Sequence, residues 1–159
     1  MAIPSHLSSY LEQRGARYDV CPHAHSRSSA ETARSAHVPP GQLAKSVILE
    51  DDAGCVMAVL PADRTVMVGE FARMLGRNRL RLADEARVAL LFEDCDRGAI
   101  PPIGMAWGVQ TIVDEALEAN DIVYLESGDH ERLLRMSREQ FHELMREQPH
   151  GHFCKPATH

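Results

Sequence analysis

The chain has 159 residues, 44% of them apolar and 25% charged, and its 17 basic and 23 acidic side chains leave a net charge of −6. That length suits one domain burying roughly 70% of its unfolded surface, and the composition excludes a disordered tail, a collagen-like repeat and a membrane protein. No apolar run approaches the roughly 18 residues of a membrane span, and no basic-then-apolar leader opens the chain, so the expected location is the cytoplasm.

In chain order, Ser5 to Arg14 predicts a helix with Leu7, Tyr10 and Leu11 on one face and Gly15 as its stop. Arg17 to Val20 alternates like a short strand closed by Pro22. Ser28-Ser29-Ala30-Glu31 has capping-box spacing and predicts a short helix to about Ala36. Lys45 to Glu50 and Cys55 to Leu60 are apolar runs around Asp51-Asp52-Ala53-Gly54, a hairpin signal, and Pro61 ends the second run. Gly69 to Leu75 predicts a helix stopped by Gly76, Leu80 to Leu82 a brief strand, and Asp84 the cap of a helix through Leu91. Glu93 to Gly104 is rich in turn residues. Val109 to Val113 and Ile122 to Leu125 predict strands around a turn or short helix at Asp114 to Ala119. Ser127 to His130 resembles a hairpin turn before Arg132 to Met136. Ser137 then opens a last helix whose apolar face is Phe141, Leu144 and Met145. With no repeat and no linker, the expectation is one α/β or α+β domain over residues 1–147, rich in antiparallel pairing, with a loose tail over 148–159.

Several chemistries are missing. The chain has no GxSxG elbow, no GxxxxGK[ST] loop and no GxGxxG after a strand. His142-Glu143 and His130-Glu131 each lack the second histidine of HExxH, so neither builds a zinc-protease helix. The four cysteines at 21, 55, 95 and 154 share no CxxC spacing and read as free thiols. Cys21-Pro22-His23-Ala24-His25 and His150-Gly151-His152-Phe153-Cys154 hold metal-ligand residue types. Both fit an ordinary loop or terminus better than a four-ligand site, and the expectation is no metal and no cofactor.

Three features stand out. Arg73, Arg77, Arg79, Arg81 and Arg87 form the one concentrated basic stretch, and read either as solvated helix faces or as a phosphate-contacting patch. Lys45 opens an apolar strand, so its ammonium either enters a cleft or runs along the sheet to solvent. Gly98-Ala99-Ile100-Pro101-Pro102-Ile103-Gly104 is a stiff turn whose glycines permit close backbone approach and whose prolines donate nothing. It is either a backbone oxyanion site or a rigid surface loop.

Taken together, Ala44-Lys45-Ser46-Val47, Ala58-Val59-Leu60-Pro61, the GxxxP pattern of Gly98 to Pro102, Val113-Asp114-Glu115-Ala116-Leu117 and Gly128-Asp129-His130 form an ordered set. The set resembles the YbaK/prolyl-tRNA synthetase-associated domain family of trans-editing aminoacyl-tRNA deacylases, from about Leu7 to Met145. The resemblance implies a mixed, largely antiparallel, partly closed β-sheet surrounded by helices. It also implies hydrolysis, without metal or organic cofactor, of the ester joining a wrong amino acid to a tRNA, here Ala-, Cys- or Ser-charged tRNA for proline. By that resemblance Lys45 matches the essential lysine, Gly98 to Pro102 the substrate loop and His130 the late histidine, so Lys45, Gly98 and His130 are the catalytic candidates, with His130 expected either to orient the substrate or to act as a base. Ser26, Ser46, Ala99, Ile100, Pro101, Pro102, Gly104, Asp114 and Gly128 become substrate-binding candidates, and Arg73, Arg77 and Arg79 candidates for the acceptor stem. The implied partners are mischarged tRNA at its acceptor end and an aminoacyl-tRNA synthetase, with no membrane. The competing class is a non-catalytic aminoacyl-tRNA-binding or synthetase-associated module on the same fold.

Overall fold

The computed structural model describes residues 3–157. Helix α1 (Ser5–Gln13) buries Leu7 and Leu11 and leads into edge strand β1 (Asp19–Pro22). Helix α2 (Ser29–Ser35) starts as its capping box predicts, with the Ser28 hydroxyl accepting from the Glu31 N–H at 3.2 Å. A 3₁₀ turn over Pro40–Gln42 delivers the chain to the central hairpin, β2 (Leu43–Asp51) and β3 (Gly54–Pro61), paired antiparallel from Ala44–Pro61 to Asp51–Gly54.

Next come β4 (Arg64–Val66), α3 (Val68–Leu75, closed by Gly76 at φ +67°), β5 (Arg81–Leu82) and α4 (Glu85–Leu91, capped by Asp84). After the turn-rich stretch and a 3₁₀ turn at Gly104–Trp107, β6 (Gln110–Asp114), a 3₁₀ segment at Glu115–Ala119 and β7 (Ile122–Glu126) follow. Then come β8 (Arg132–Ser137), α5 (Arg138–Leu144), β9 (His150–Gly151) and β10 (Cys154–Pro156).

The main sheet runs β1-β8-β7-β2-β3-β6-β9, with β5 paired to the far end of β2. It is mixed and mostly antiparallel, as expected. The parallel pairs are β2 with β7, β3 with β6 and β6 with β9. No helix among the described residues is long and apolar enough to cross a membrane.

One detail of this topology positions the candidate site. Strand β7 stays with β2 only through Leu43–Tyr124 and Ala44–Leu125, and β5 joins only at Leu49 and Glu50. Between those contacts, Lys45, Ser46 and Val47 form an edge with no strand partner among the described residues on the side away from β3. Because side chains alternate along a strand, this short edge presents different chemistry to the two faces of the sheet. Ala44, Ser46 and Ile48 face the larger core, which α1, α5 and the loop residues Ile100 and Ile103 complete. Leu43, Lys45, Val47 and Leu49 face the other side. There, Leu43 packs with Ala33 and Leu133 beneath α2, while Val47 and Leu49 pack with Phe71 and Phe153 beneath α3. Lys45 sits between those two apolar clusters.

The segment after Glu147, expected to be a loose tail, is corrected by the structure. Strand β9 runs parallel to β6, and β10 pairs antiparallel with β4. Phe153 is fully buried, edge-on to Phe71 at 4.8 Å, and its N–H donates to the Asp114 carboxylate at 2.9 Å. Local sequence carries no such signal, because one phenylalanine among His, Gly and Pro has no periodicity and its partners lie about 40 and 80 residues away.

Candidate functional site at the open edge of the central strand

The Gly98 loop reaches the open edge of β2 from the larger-core side. The Ser46 hydroxyl donates to the Ile100 carbonyl at 3.0 Å and fastens the loop to the strand. Ala99, Ile100, Pro101, Pro102, Ile103 and Gly104 are all buried, and only Gly98 and its neighbour Arg97 are exposed. The loop is therefore packed framework along most of its length and available to a ligand at one end. The N–H of Ala99 is already taken by the Asp96 carbonyl at 3.1 Å, whereas those of Gly98 and Ile100 have no protein acceptor among the described residues.

At Gly98, φ is +77°, a region that L side chains rarely occupy. A Cβ there would lie 3.3 Å from the Arg27 carbonyl and 3.4 Å from the His130 ring. Gly98 and His130, 32 positions apart, are thus in contact. His130 is itself at φ +59° and 4% exposed, and its Nε2 hydrogen-bonds the Arg97 carbonyl. A carbonyl only accepts, so Nε2 carries a proton and donates it, while Nδ1 is buried with no hydrogen-bond partner among the described residues.

Ser26 joins the same corner. It is fully buried, and its N–H and hydroxyl both donate to the His130 carbonyl, at 3.2 and 3.3 Å. The exposed His25 ring stands edge-on to His130 at 6.0 Å. Gly128 (φ +108°) borders the corner, its carbonyl accepting from Asp96 N–H at 2.6 Å.

Beside this corner opens a cleft of about 920 Å³ between β2, the β5–α4 connection, α4 and the loop, with Ser46, Ile48, Val88, Phe92, Gly98 and Ile100 among its walls. Lys45 does not line it. Strand alternation puts its side chain on the opposite face, half-buried, where burial lowers the pKa of its ammonium and the Asp63 carboxylate and Cys154 partly restore it. Lys45 and Ser46, adjacent along the open stretch of β2, thus serve opposite faces of the sheet.

Some candidates are elsewhere. Asp114 is buried at the end of β6, where it caps the following 3₁₀ segment through Ala116 N–H at 2.8 Å and holds Phe153. Gly104 packs against β6 and β3, because a Cβ there would come within 2.5 Å of the Thr111 hydroxyl and 3.2 Å of the Met57 sulfur. Both positions are explained by packing.

The arginines cluster around the hairpin tip, six residues along β2 from Lys45 or roughly 20 Å of strand. Arg77 is largely buried and pairs with Asp51 at 3.2 Å, Arg73 pairs with Glu70, and Arg81 and Arg87 converge on Glu50. Arg79 has no ion pair among the described residues and is exposed. Two cysteines also lie near the site. Burial, reinforced by Asp94 for Cys95 and by Asp114 for Cys154, pushes both thiols up to about 12, so neither is a nucleophile at neutral pH.

Sequence reasoning missed Asp63, Thr32 and Glu126. An acidic residue closing a strand before a Ser-Gly turn reads as solvated. Only tertiary packing shows that Glu126 is 1% exposed.

No curated protein matches the chain, but the model of the aminoacyl-tRNA editing domain family matches residues 23–144. Among solved structures, one provisionally described as a trans-editing enzyme for prolyl tRNA synthetase shares 23% identity and a TM-score of 0.79, covering 96% of each chain. The hypothetical protein APE2540 shares 22% identity and a TM-score of 0.83 over 95% of this chain and 100% of its own. A provisionally described signal transduction protein from Marinobacter aquaeolei VT8 gives 22% identity and a TM-score of 0.73, with 96% of this chain matching 31% of that one. At such identities these likenesses are of fold. The family match spans most of the chain, including Lys45, Gly98 and His130, and the chain belongs to the aminoacyl-tRNA editing domain family.

Proposed function

We propose that the protein is an aminoacyl-tRNA deacylase acting in trans, which hydrolyses the ester of mischarged tRNA, with Ala-, Cys- or Ser-tRNA for proline as its substrates. What supports this reading is the editing-domain family match over residues 23–144, which includes Lys45, Ser46, Gly98 and His130, together with the Gly98 loop that Ser46 fastens to the central strand and that His130 touches.

An aminoacyl ester is already reactive, so positioning and charge stabilisation are sufficient catalysis. Lys45 is the only lysine besides Lys155 in a chain with 15 arginines. Its compact ammonium anchors the terminal phosphate or ribose, a task that a forked guanidinium does not reproduce. The free N–H groups of Gly98 and Ile100 face the oxyanion that forms when water adds to the ester carbonyl. The tetrahedral carbon then expels the ribose oxygen, which takes a proton, and the free amino acid departs.

His130 is a positioning residue in this scheme. Its Nε2 proton is committed to the Arg97 carbonyl, so the imidazole holds the loop at the position where Gly98 must present its backbone. The substrate's own neighbouring ribose hydroxyl is the proton carrier that this leaves. The acceptor end of mischarged tRNA is the implied partner, together with a synthetase that supplies the misacylated product, and the cytoplasm is the matching compartment.

The test is deacylation of Ala-, Cys- and Ser-charged tRNA for proline by wild type, Lys45→Ala and Lys45→Arg. We expect rapid ester loss in wild type, a fall of roughly 10- to 100-fold in kcat/KM in Lys45→Ala, and no rescue by arginine. Full activity in Lys45→Arg overturns the anchoring role. Binding of these tRNAs with no ester loss would instead assign a non-catalytic binding module.

A further inference from the structure

Backbone groups along a strand point alternately to its two edges, with the N–H and C=O of one residue on the same side. In β2 the Ile48 carbonyl accepts from Ala83 N–H at 2.9 Å, so Ile48, Ser46 and Ala44 present their backbone to the edge away from β3. Lys45 and Val47 present theirs to β3, opposite Leu60 and Ala58. On the outer edge Ala44 is covered by β7 through its pairing with Leu125, and Ile48 by Ala83. Between them, the N–H and C=O of Ser46 have no protein partner among the described residues. The Ser46 hydroxyl is spent on the Ile100 carbonyl. Lys45, Ser46 and Val47 are only half-buried, so this gap is open. A free donor and a free acceptor side by side within a central strand suit a ligand that brings the complementary pair.

We propose, resting on the deacylase reading, that the Ser46 main chain binds the aminoacyl group as one added strand residue. The Ser46 carbonyl takes the α-ammonium, and the Ser46 N–H takes the ester carbonyl.

An α-aminoacyl ester carries nitrogen, Cα and carbonyl in the order of a peptide residue. A single residue exchanges both hydrogen bonds with one residue opposite it only in antiparallel pairing. The bound group therefore runs against β2, with its nitrogen toward Ile48 and its ester toward Ala44. The ribose oxygen then lies opposite Lys45, the residue that anchors ribose or phosphate in the scheme above. An L side chain falls on the face of Ser46, toward the cleft walled by Ile48 and Ile100. The Ser46 N–H adds a strand donor to the loop donors assigned to the ester oxygen.

The length of the gap sets the substrate class. It holds one residue, because Ala83 already occupies the Ile48 carbonyl on the amine side. An acyl group on the nitrogen would run into the β5–α4 connection there. The site thus accepts single aminoacyl groups with a free amine and rejects peptidyl and N-acylated ones.

The test uses analogues of the charged end in which an amide replaces the ester: 3′-amino-3′-deoxyadenosine carrying an L-alanyl, a propionyl or an N-acetyl-L-alanyl group. NMR follows the Lys45, Ser46 and Val47 amides of the whole chain. In the free protein we expect the Ser46 N–H to exchange with D2O at least about 100-fold faster than its two neighbours. The L-alanyl analogue should slow that exchange about tenfold or more and move the Ser46 amide proton downfield. The propionyl analogue lacks the α-nitrogen and the N-acetyl analogue has it blocked, so each should bind at least about tenfold more weakly. Ser46→Ala removes the hydroxyl and keeps the main chain, and should preserve this ranking.

Ser46 exchange as slow as that of its neighbours, equal binding of the three analogues, no binding of the L-alanyl analogue, or a ranking lost in Ser46→Ala overturns the proposal. Deacylation of Ala-charged tRNA for proline is measured alongside. Ester loss with an unresponsive Ser46 amide overturns the proposal alone. A responsive Ser46 amide without ester loss overturns the deacylase reading alone, and leaves the gap as a binding site for α-aminoacyl groups.

Discussion

Gly98 combines two constraints that a residue table does not separate. Its positive φ disfavours any side chain, and the Arg27 carbonyl and His130 ring leave a Cβ less room than an ordinary van der Waals contact. Gly98→Ala should therefore cost about 1–2 kcal/mol of stability, read from chemical denaturation. The loss of deacylation should exceed that, tenfold or more in kcat at little change in KM, because the added methyl displaces the imidazole that aims the loop. A variant with normal kcat would show that the glycine serves only the turn. At this same scale Lys45 and Ser46 show how one strand step divides roles. Adjacent in sequence, they face opposite sides of the sheet, the lysine between two apolar clusters and the serine fastened to the loop.

Elements explain why the site lies where it does. Strand β2 is long and meets two strands along one edge, β7 and then β5, with open backbone between them. The gap exists because β7 turns away into Ser127–His130, whose Gly128 and His130 both adopt positive φ. The same turn that ends the strand thus delivers the histidine to the loop.

The C-terminal strands are the element whose importance was least legible. Strand β10 holds β4 and places Cys154 near Lys45, and just beyond it the Ala157 N–H donates to the backbone carbonyl of Asp63, whose carboxylate acts on Lys45. Phe153→Ala should cost about 3–5 kcal/mol, since the aromatic is fully buried against Phe71. A change in unfolding midpoint below about 1 kcal/mol would mean that the segment is marginal to the fold.

For the molecule as a whole, the net charge of −6 is unfavourable for a polyanion, so tRNA binding must be local. The arginine cluster is mostly committed to protein carboxylates: Glu50 gathers two guanidinium groups and Asp51 holds a third. Arg77→Glu should therefore lower stability, by about 3 kcal/mol if the pair behaves as a largely buried one, and any loss of tRNA affinity would follow from unfolding. Arg79→Glu should leave the melting temperature within about a degree or two and weaken tRNA binding, with a shallower salt dependence. Affinity that is unchanged in Arg79→Glu across a salt series would remove this patch from the RNA interface.

Local signals determined a great deal. The caps at Ser28, Asp84 and Ser137, the β2–β3 hairpin and the helix stop at Gly76 are set by side chains within four residues of the backbone they serve, and all are present in the structure. Lys45 in an apolar strand and the Gly98–Pro102 turn stood out by residue type, whereas His130 was marked only by the family resemblance. Other features depended on contacts between distant parts of the chain. These are the open edge of β2, the two faces it offers, the burial of Glu126, the anchoring of the C-terminal strands and the withdrawal of Asp114 and Gly104 into packing roles. Strand pairing and burial are set by partners tens of residues apart. A single sequence shows which residues are unusual, while only the folded chain decides which of them meet.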